Sequence, residues 1–186
     1  MRKSTVLLLA AFIVLLLSSQ ASAVRYSVGG FGGLVLPLGM DDVTSSSMIG
    51  FKARVAVLPS IGVEPNFTMN KLGKGEADVY GEMQERDGGD ITSFGIDLVF
   101  GGIEGNLGLS VYGIAGLGSA TWSREGLDDI SKLSYFLGLG VEYGFSPMVS
   151  LDVKAKSLIM PNEEGTYKTL GISAGLNVYF GIAGGL

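Results

Sequence analysis

The chain has 186 residues, enough for one domain, with 13 basic against 18 acidic residues and a net charge of −5. That acidity argues against a nucleic-acid partner, because phosphate binding needs a basic surface. Neither His nor Cys occurs, which removes Ser-His-Asp and Cys-His nucleophilic machinery, His-ligated metals, lipid anchoring through a cysteine and any disulfide framework.

Residues 1–23 read as a cleaved secretory leader. Arg2 and Lys3 supply the positive start, residues 6–17 an apolar run, and Ala21-Ser22-Ala23 an A-x-A cleavage site. The run is short of the roughly 20 residues a spanning helix needs. Without the leader, residues 24–186 form a single 163-residue domain with 11 basic and 18 acidic residues, a net charge of −7.

Eight segments then alternate apolar and polar residues, the two-residue period of a strand with one face in an apolar medium. The first is 25–36. The second, 48–58, sets Phe51, Ala53, Val55 and Val57 against Lys52, Arg54 and Ala56. The third, 61–71, sets Ile61, Val63, Phe67 and Met69 against Glu64, Asn66, Thr68 and Asn70. Pro65 cannot donate to the ladder, so a bulge or a missing hydrogen bond is expected there. The fourth, 91–101, sets Phe94, Ile96, Leu98 and Phe100 against Ser93, Gly95 and Asp97. The fifth, 108–121, is glycine-rich and of ambiguous parity. The sixth, 132–144, is the clearest, with Leu133, Tyr135, Leu137, Leu139, Val141 and Tyr143 on one parity. Glu142, Lys132, Ser134 and three glycines are on the other, with Phe136 the exception. The seventh, 148–158, sets Val149, Leu151, Val153 and Ala155 against Ser150, Asp152, Lys154 and Lys156. The eighth, 168–180, sets Leu170, Ile172, Ala174, Leu176, Val178 and Phe180 against Gly171, Ser173, Gly175, Asn177 and Tyr179.

The connections alternate in length. Residues 37–47, 72–90, 122–131 and 159–167 read as four long polar loops, and 59–60, 102–107 and 145–147 as short turns. This is the layout of an all-β, eight-stranded, antiparallel, up-and-down transmembrane β-barrel, with both termini at the short-turn end. The acidic segment 72–90 reads as a solvated, mobile loop. Its acids do not match an EF-hand pattern, so no metal site is claimed. The Gly29–Gly33 stretch lacks the Lys-Ser/Thr of a phosphate loop and lies in a strand pattern. No cofactor is expected.

Alternation alone does not say which face is outside, since a soluble ligand-binding barrel alternates too. Glycine and charge decide it. The polar parity carries Gly95, Gly138, Gly140, Gly144, Gly171 and Gly175, where a water-facing strand would carry Thr, Lys or Glu. It also carries Lys52, Arg54, Lys154 and Lys156 against Glu64, Asp97, Glu142 and Asp152, a balanced set that a narrow lumen can bury as pairs. The turn at Pro59-Ser60 sets Ala56 opposite Glu64 and Arg54 diagonal to it. On the apolar parity, Tyr26, Phe100, Tyr143 and Phe180 lie near the short-turn end and Phe51, Phe94 and Tyr135 near the long-loop end, as two interfacial girdles. Trp122, at the top of the fifth segment, is a candidate for the upper one.

The segment from Gly138 through Glu142-Tyr143, Phe145-Ser146-Pro147 and on to Lys154 resembles the penultimate hairpin of the small eight-stranded outer-membrane barrels, the group of the OmpA transmembrane domain and of OmpX-like and OmpW-like proteins. Gly175-Leu-Asn-Val-Tyr-Phe180 resembles their closing strand and Gly62-Val-Glu-Pro-Asn-Phe67 their third. The resemblance implies an outer-membrane location with periplasmic termini and extracellular long loops. It implies lipid and glycolipid as partners, the barrel-assembly machinery during biogenesis, and a surface ligand at the loops. Such barrels end on an aromatic residue. Here Phe180 is followed by Gly181–Leu186, so either Phe180 is that residue with a short tail or the last strand runs further. The resemblance brings no wall-binding domain, since none follows the barrel. The function that fits best is a structural or surface-interacting barrel without catalysis. A small-solute channel is the alternative, against which a charged lumen plugged by Phe31 and Phe136 argues. A soluble periplasmic ligand-binding barrel comes next, and a barrel enzyme last, because related barrel enzymes depend on His.

Overall fold

A computed structural model describes residues 25–39, 43–79, 82–86, 88–103, 107–124, 126–162 and 165–180. The leader at 1–23 and the tail at 181–186 lie outside them. The described residues form eleven strands: β1 (Arg25–Leu38), β2 (Val43–Thr44), β3 (Ser46–Leu58), β4 (Ile61–Lys71), β5 (Gly73–Val79), β6 (Glu82–Arg86), β7 (Asp90–Gly101), β8 (Gly108–Ser123), β9 (Ile130–Gly144), β10 (Val149–Asn162) and β11 (Gly165–Phe180). Eight of them close an antiparallel barrel in the order β1-β11-β10-β9-β8-β7-β4-β3, and β2, β5 and β6 form a small separate sheet.

The register sets the size of the barrel. Following cross-strand partners from Tyr26 through Val55, Val63, Leu98, Ala115, Leu137, Ser157 and Leu170 returns to β1 at Leu36, ten residues further along. A stagger of ten over eight strands tilts them roughly 40° and leaves an interior that side chains can fill.

The apolar parity faces outward. Ile49, Phe51, Phe94, Ile96, Leu98, Leu133, Leu137, Leu139, Ile172 and Leu176 are all exposed, while Lys52, Arg54, Glu64, Asp97, Glu142, Asp152 and Lys154 are buried. A soluble barrel requires the reverse, so that reading falls. The outward residues of β9 from Leu133 to Tyr143 carry no polar group other than the tyrosine hydroxyls. Along a strand tilted this way they cover roughly the 25 Å of an outer-membrane apolar band.

The structure corrects the sequence reading in several places. Residues 72–90 are not a plain loop: β5 and β6 pair from Gly75↔Arg86 to Val79↔Glu82, and β2 adds to β5. Nor is 159–167 a long loop, because β10 and β11 stay paired up to Asn162↔Gly165. Backbone groups there are satisfied by the ladder without any lipid-driven alternation. The bulge lies near the turn, between Ala56 and Leu58, and not at Pro65. It moves Ala56 opposite Gly62, so Arg54 stands directly across from Glu64 and not diagonal to it. Opposite Pro65 the β3–β4 pairing does lapse, between Lys52↔Asn66 and Val55↔Val63, as a residue without an N–H requires.

Two apolar clusters sit inside the barrel. The lower one joins Val99, Ile103, Tyr112 and Ile114, with Ala56 against it. The upper one joins Val35, Val43, Leu72, Ile91, Ala120, Trp122, Phe136, Leu158 and Met160, with Met48 and Tyr167 packed on it. The charged residues occupy the space between.

Candidate functional site

The lumen is where this chain concentrates its chemistry. Inward positions recur every second residue, so β3 contributes Lys52 and Arg54, β4 Glu64 and Asn66, and β10 Asp152, Lys154 and Lys156. The stagger brings these together with Asp97 of β7 and Glu142 of β9.

Arg54 is the hub. Its Nε donates to Glu64 Oε2 at 2.8 Å and its Nη1 to Glu142 Oε2 at 2.9 Å. Its Nη2 lies 2.8 Å from Glu64 Oε2, and the guanidinium stacks 4.9 Å from the Tyr112 ring centroid. Lys52 pairs with Asp152 across the lumen and lies 3.7 Å from Glu64. Lys156 donates to Asp97 Oδ2 at 2.6 Å and to Asn66 Oδ1 at 3.0 Å. Lys154 lies 3.6 Å from Glu64 Oε1. All eight charges therefore face one another, four of each sign. Burying an ion costs several kcal/mol unless a partner and further hydrogen bonds compensate; here every charge has a partner, and all but Lys154 are hydrogen-bonded as well.

The further bonds come from residues the sequence reading did not place in the network. Tyr112 donates to Asp152, and Tyr179 to Glu142. Ser150 Oγ donates to Glu142 Oε1 at 2.7 Å, and Asn177 donates to Ser150 at 3.3 Å. Asn66 donates to the Glu64 carbonyl at 3.1 Å. The signal was available: Tyr179 and Asn177 share the polar parity of the closing strand. Below the network, Arg25 donates to the Pro147 carbonyl and lies over the Tyr179 ring.

The inward glycines make room for rings as well as for long charged chains. A Cβ added at Gly140 would strike the Tyr112 ring, at Gly95 the Phe136 ring, and at Gly50 the Phe31 ring. At Gly116 it would strike the Asp97 carboxylate. Phe31 and Phe136 in turn lie under cations, with Lys154 Nζ 4.0 Å and Lys156 Nζ 4.2 Å from their centroids.

Trp122 corrects the expected upper girdle. It points inward and is buried in the upper cluster. Its Nε1 donates to the Gly88 carbonyl at 2.9 Å, Tyr167 meets it edge-on at 4.7 Å, and Arg124 stacks at 3.8 Å. It therefore ties the segment after β6 to the barrel top. Tyr26, Phe51, Phe94, Phe100, Tyr135, Tyr143 and Phe180 are all exposed on the outer face. Phe51 is registered with Phe67, and Phe67 with Phe94, so these three form a row that climbs with the stagger.

A closed eight-stranded barrel with an apolar outside and a charged, filled inside has the build of a barrel that spans an outer membrane. The chain belongs to the outer membrane protein beta-barrel domain family, whose model matches residues 5–180. Solved structures agree on the fold. Neisserial surface protein A is 15% identical with a TM-score of 0.58, over 85% of this chain and 97% of that one. The N-terminal β-barrel domain of Pseudomonas aeruginosa OprF is 14% identical with a TM-score of 0.56, over 84% and 97%. A major outer membrane protein from Thermus thermophilus is 12% identical with a TM-score of 0.55, over 87% and 100%. No curated protein matches the chain.

Proposed function

We propose that this outer-membrane barrel works through its surface and its fit to the membrane, and not through a pore or a catalytic centre. The observation that carries this reading is the stack inside the barrel: an apolar cluster, a neutral layer of eight paired charges, and a second apolar cluster. A charged solute passing through would have to break buried pairs worth several kcal/mol each. On this reading residues 1–23 are removed on export and both ends of the barrel chain lie in the periplasm. The end bearing β2, β5 and β6 faces outward to meet glycolipid or a surface ligand. The strand that ends at Phe180 is what the barrel-assembly machinery receives. Catalysis and cofactors have no part in it.

Conductance in planar bilayers tests the central claim. Refolded protein is expected to give no unitary current steps above the bare bilayer. Reproducible steps of one size that change in an Arg54→Met variant would establish the small-solute channel instead. Deleting residues 75–86 is expected to abolish binding to whole cells or glycolipid vesicles while the unboiled protein still runs as a compact band on a gel.

A further inference from the structure

Between the charge network and the upper apolar cluster lies a cavity of about 30 Å³, lined by Phe31, Phe136, Thr68, Ser93, Lys154 and Lys156 among others. That is room for one or two water-sized particles. The lining carries two ammonium groups and no carboxylate. Lys154 has its side chain 2% exposed, yet its Nζ makes no hydrogen bond; Glu64 Oε1, at 3.6 Å, is beyond hydrogen-bond reach. Lys156 uses two of its three N–H groups, on Asp97 and Asn66. The hydroxyls of buried Thr68, Ser93 and Thr169 and the amide of Asn70 join the lining.

The carboxylates beneath take their hydrogen bonds from groups other than Lys154, which pairs with Glu64 by charge alone. Glu142 accepts from Arg54, Tyr179 and Ser150, and Asp152 from Lys52 and Tyr112. Glu64 holds two nitrogens of Arg54 on one oxygen. The cavity thus gathers donors on two ammonium groups and three hydroxyls, with no carboxylate in its lining and aromatic walls at Phe31 and Phe136. From this we propose that it is a binding site for one halide-sized monovalent anion, held by the ammonium of Lys154, the free N–H of Lys156 and the hydroxyls of Thr68 and Ser93. Water accepts from at most two of these donors; a halide accepts from all four at once and places its charge beside the two ammonium groups. The site does not depend on the surface role proposed above.

The test is diffraction from crystals of the mature barrel grown with bromide in place of chloride, at physiological halide concentration. A bromide anomalous peak in the cavity next to Lys154 is expected. Lys154→Met should abolish it, and Thr68→Val, which leaves every charge in place, should weaken it. In solution, the melting temperature should rise saturably as chloride replaces gluconate at fixed ionic strength, and Thr68→Val should shift that curve to higher chloride. Ordered water without an anomalous peak overturns the proposal, as does a peak that Thr68→Val leaves unchanged. A melting temperature indifferent to chloride overturns it as well. If Lys154→Met does not fold, Thr68→Val alone decides.

Discussion

Removing the hub of the lumen network has a cost that follows from its contacts. Arg54→Met keeps length and most of the volume but deletes the bonds at 2.8 and 2.9 Å to Glu64 and Glu142. Breaking one side of a buried ion pair costs about 3–5 kcal/mol, because the partner charge stays buried. Two features temper this: Lys52 and Lys154 remain within 4 Å of Glu64, and Glu142 keeps Ser150 and Tyr179. The lower end, about 3 kcal/mol, is therefore expected, a roughly 150-fold loss in the folding equilibrium. Glu64→Gln should cost a similar amount. In the double variant the two losses share one interaction, so their sum should overshoot the measured value by about 1–3 kcal/mol. The assay is urea unfolding and refolding in lipid vesicles, read by the band shift between folded and unfolded forms, with the denaturant slope unchanged. A cost for Arg54→Met below about 1 kcal/mol, the level of an exposed pair, would refute the argument. So would strict additivity of the two changes.

Other outcomes follow from the same geometry. Leu139→Arg places a charge on the mid-height outer face of β9 and should cost about 2–4 kcal/mol in vesicles, whereas Ser131→Arg at the upper rim should cost about 0–1; equal costs would mean the faces are misassigned. Gly140→Ala drives a methyl into the Tyr112 ring and should cost about 1–3 kcal/mol by overpacking; in a Tyr112→Leu background, already weakened by loss of the bond to Asp152, the same change should cost little in a urea titration. Trp122, the one tryptophan of the chain, is buried inside the barrel top, so its fluorescence should be insensitive to brominated lipid tails while staying blue-shifted. Quenching at any bromine depth would place the ring back in the lipid-facing girdle.

Where the sequence was legible and where it was not has a common physical origin. Period-two alternation survives when one face meets lipid and the other meets polar lumen, and there segments such as β9 and β11 announce both their extent and their facing. It fades where both faces are apolar. β8 runs through both interior clusters, with Tyr112 and Ile114 in the lower and Ala120 and Trp122 in the upper, so its inward positions look like its outward ones. The same holds at the top of β10, where inward Leu158 and Met160 flank Ile159. That stretch consequently read as a loop. Alternation also fades above the lipid, where Ser119, Thr121 and Ser131 face outward and strand continuity rests on the ladder alone. The balanced set of eight charges was visible because each sits on a clean parity. Which charge each inward tyrosine, serine or asparagine meets was not, because partnership depends on the stagger, and the bulge at the β3–β4 turn shifts the register there.

The network also constrains how the molecule can be made. Lys52 and Asp152 are 100 residues apart in the chain and belong to β3 and β10, which never touch within the sheet and meet only across the finished interior. Such distant contacts reward the chain late, after the entropy of closing a long loop has been lost. A half-built sheet would carry Lys52, Arg54 and Glu64 with no Glu142, Asp152 or Lys154 to face, and so would have to keep them hydrated while its other side already lies against hydrocarbon. Seam formation between β1 and β11, expulsion of that water and pairing of the charges then collapse into one terminal event. Partial barrels of this sequence should accordingly be short-lived, with little to hold them between the open and the sealed state.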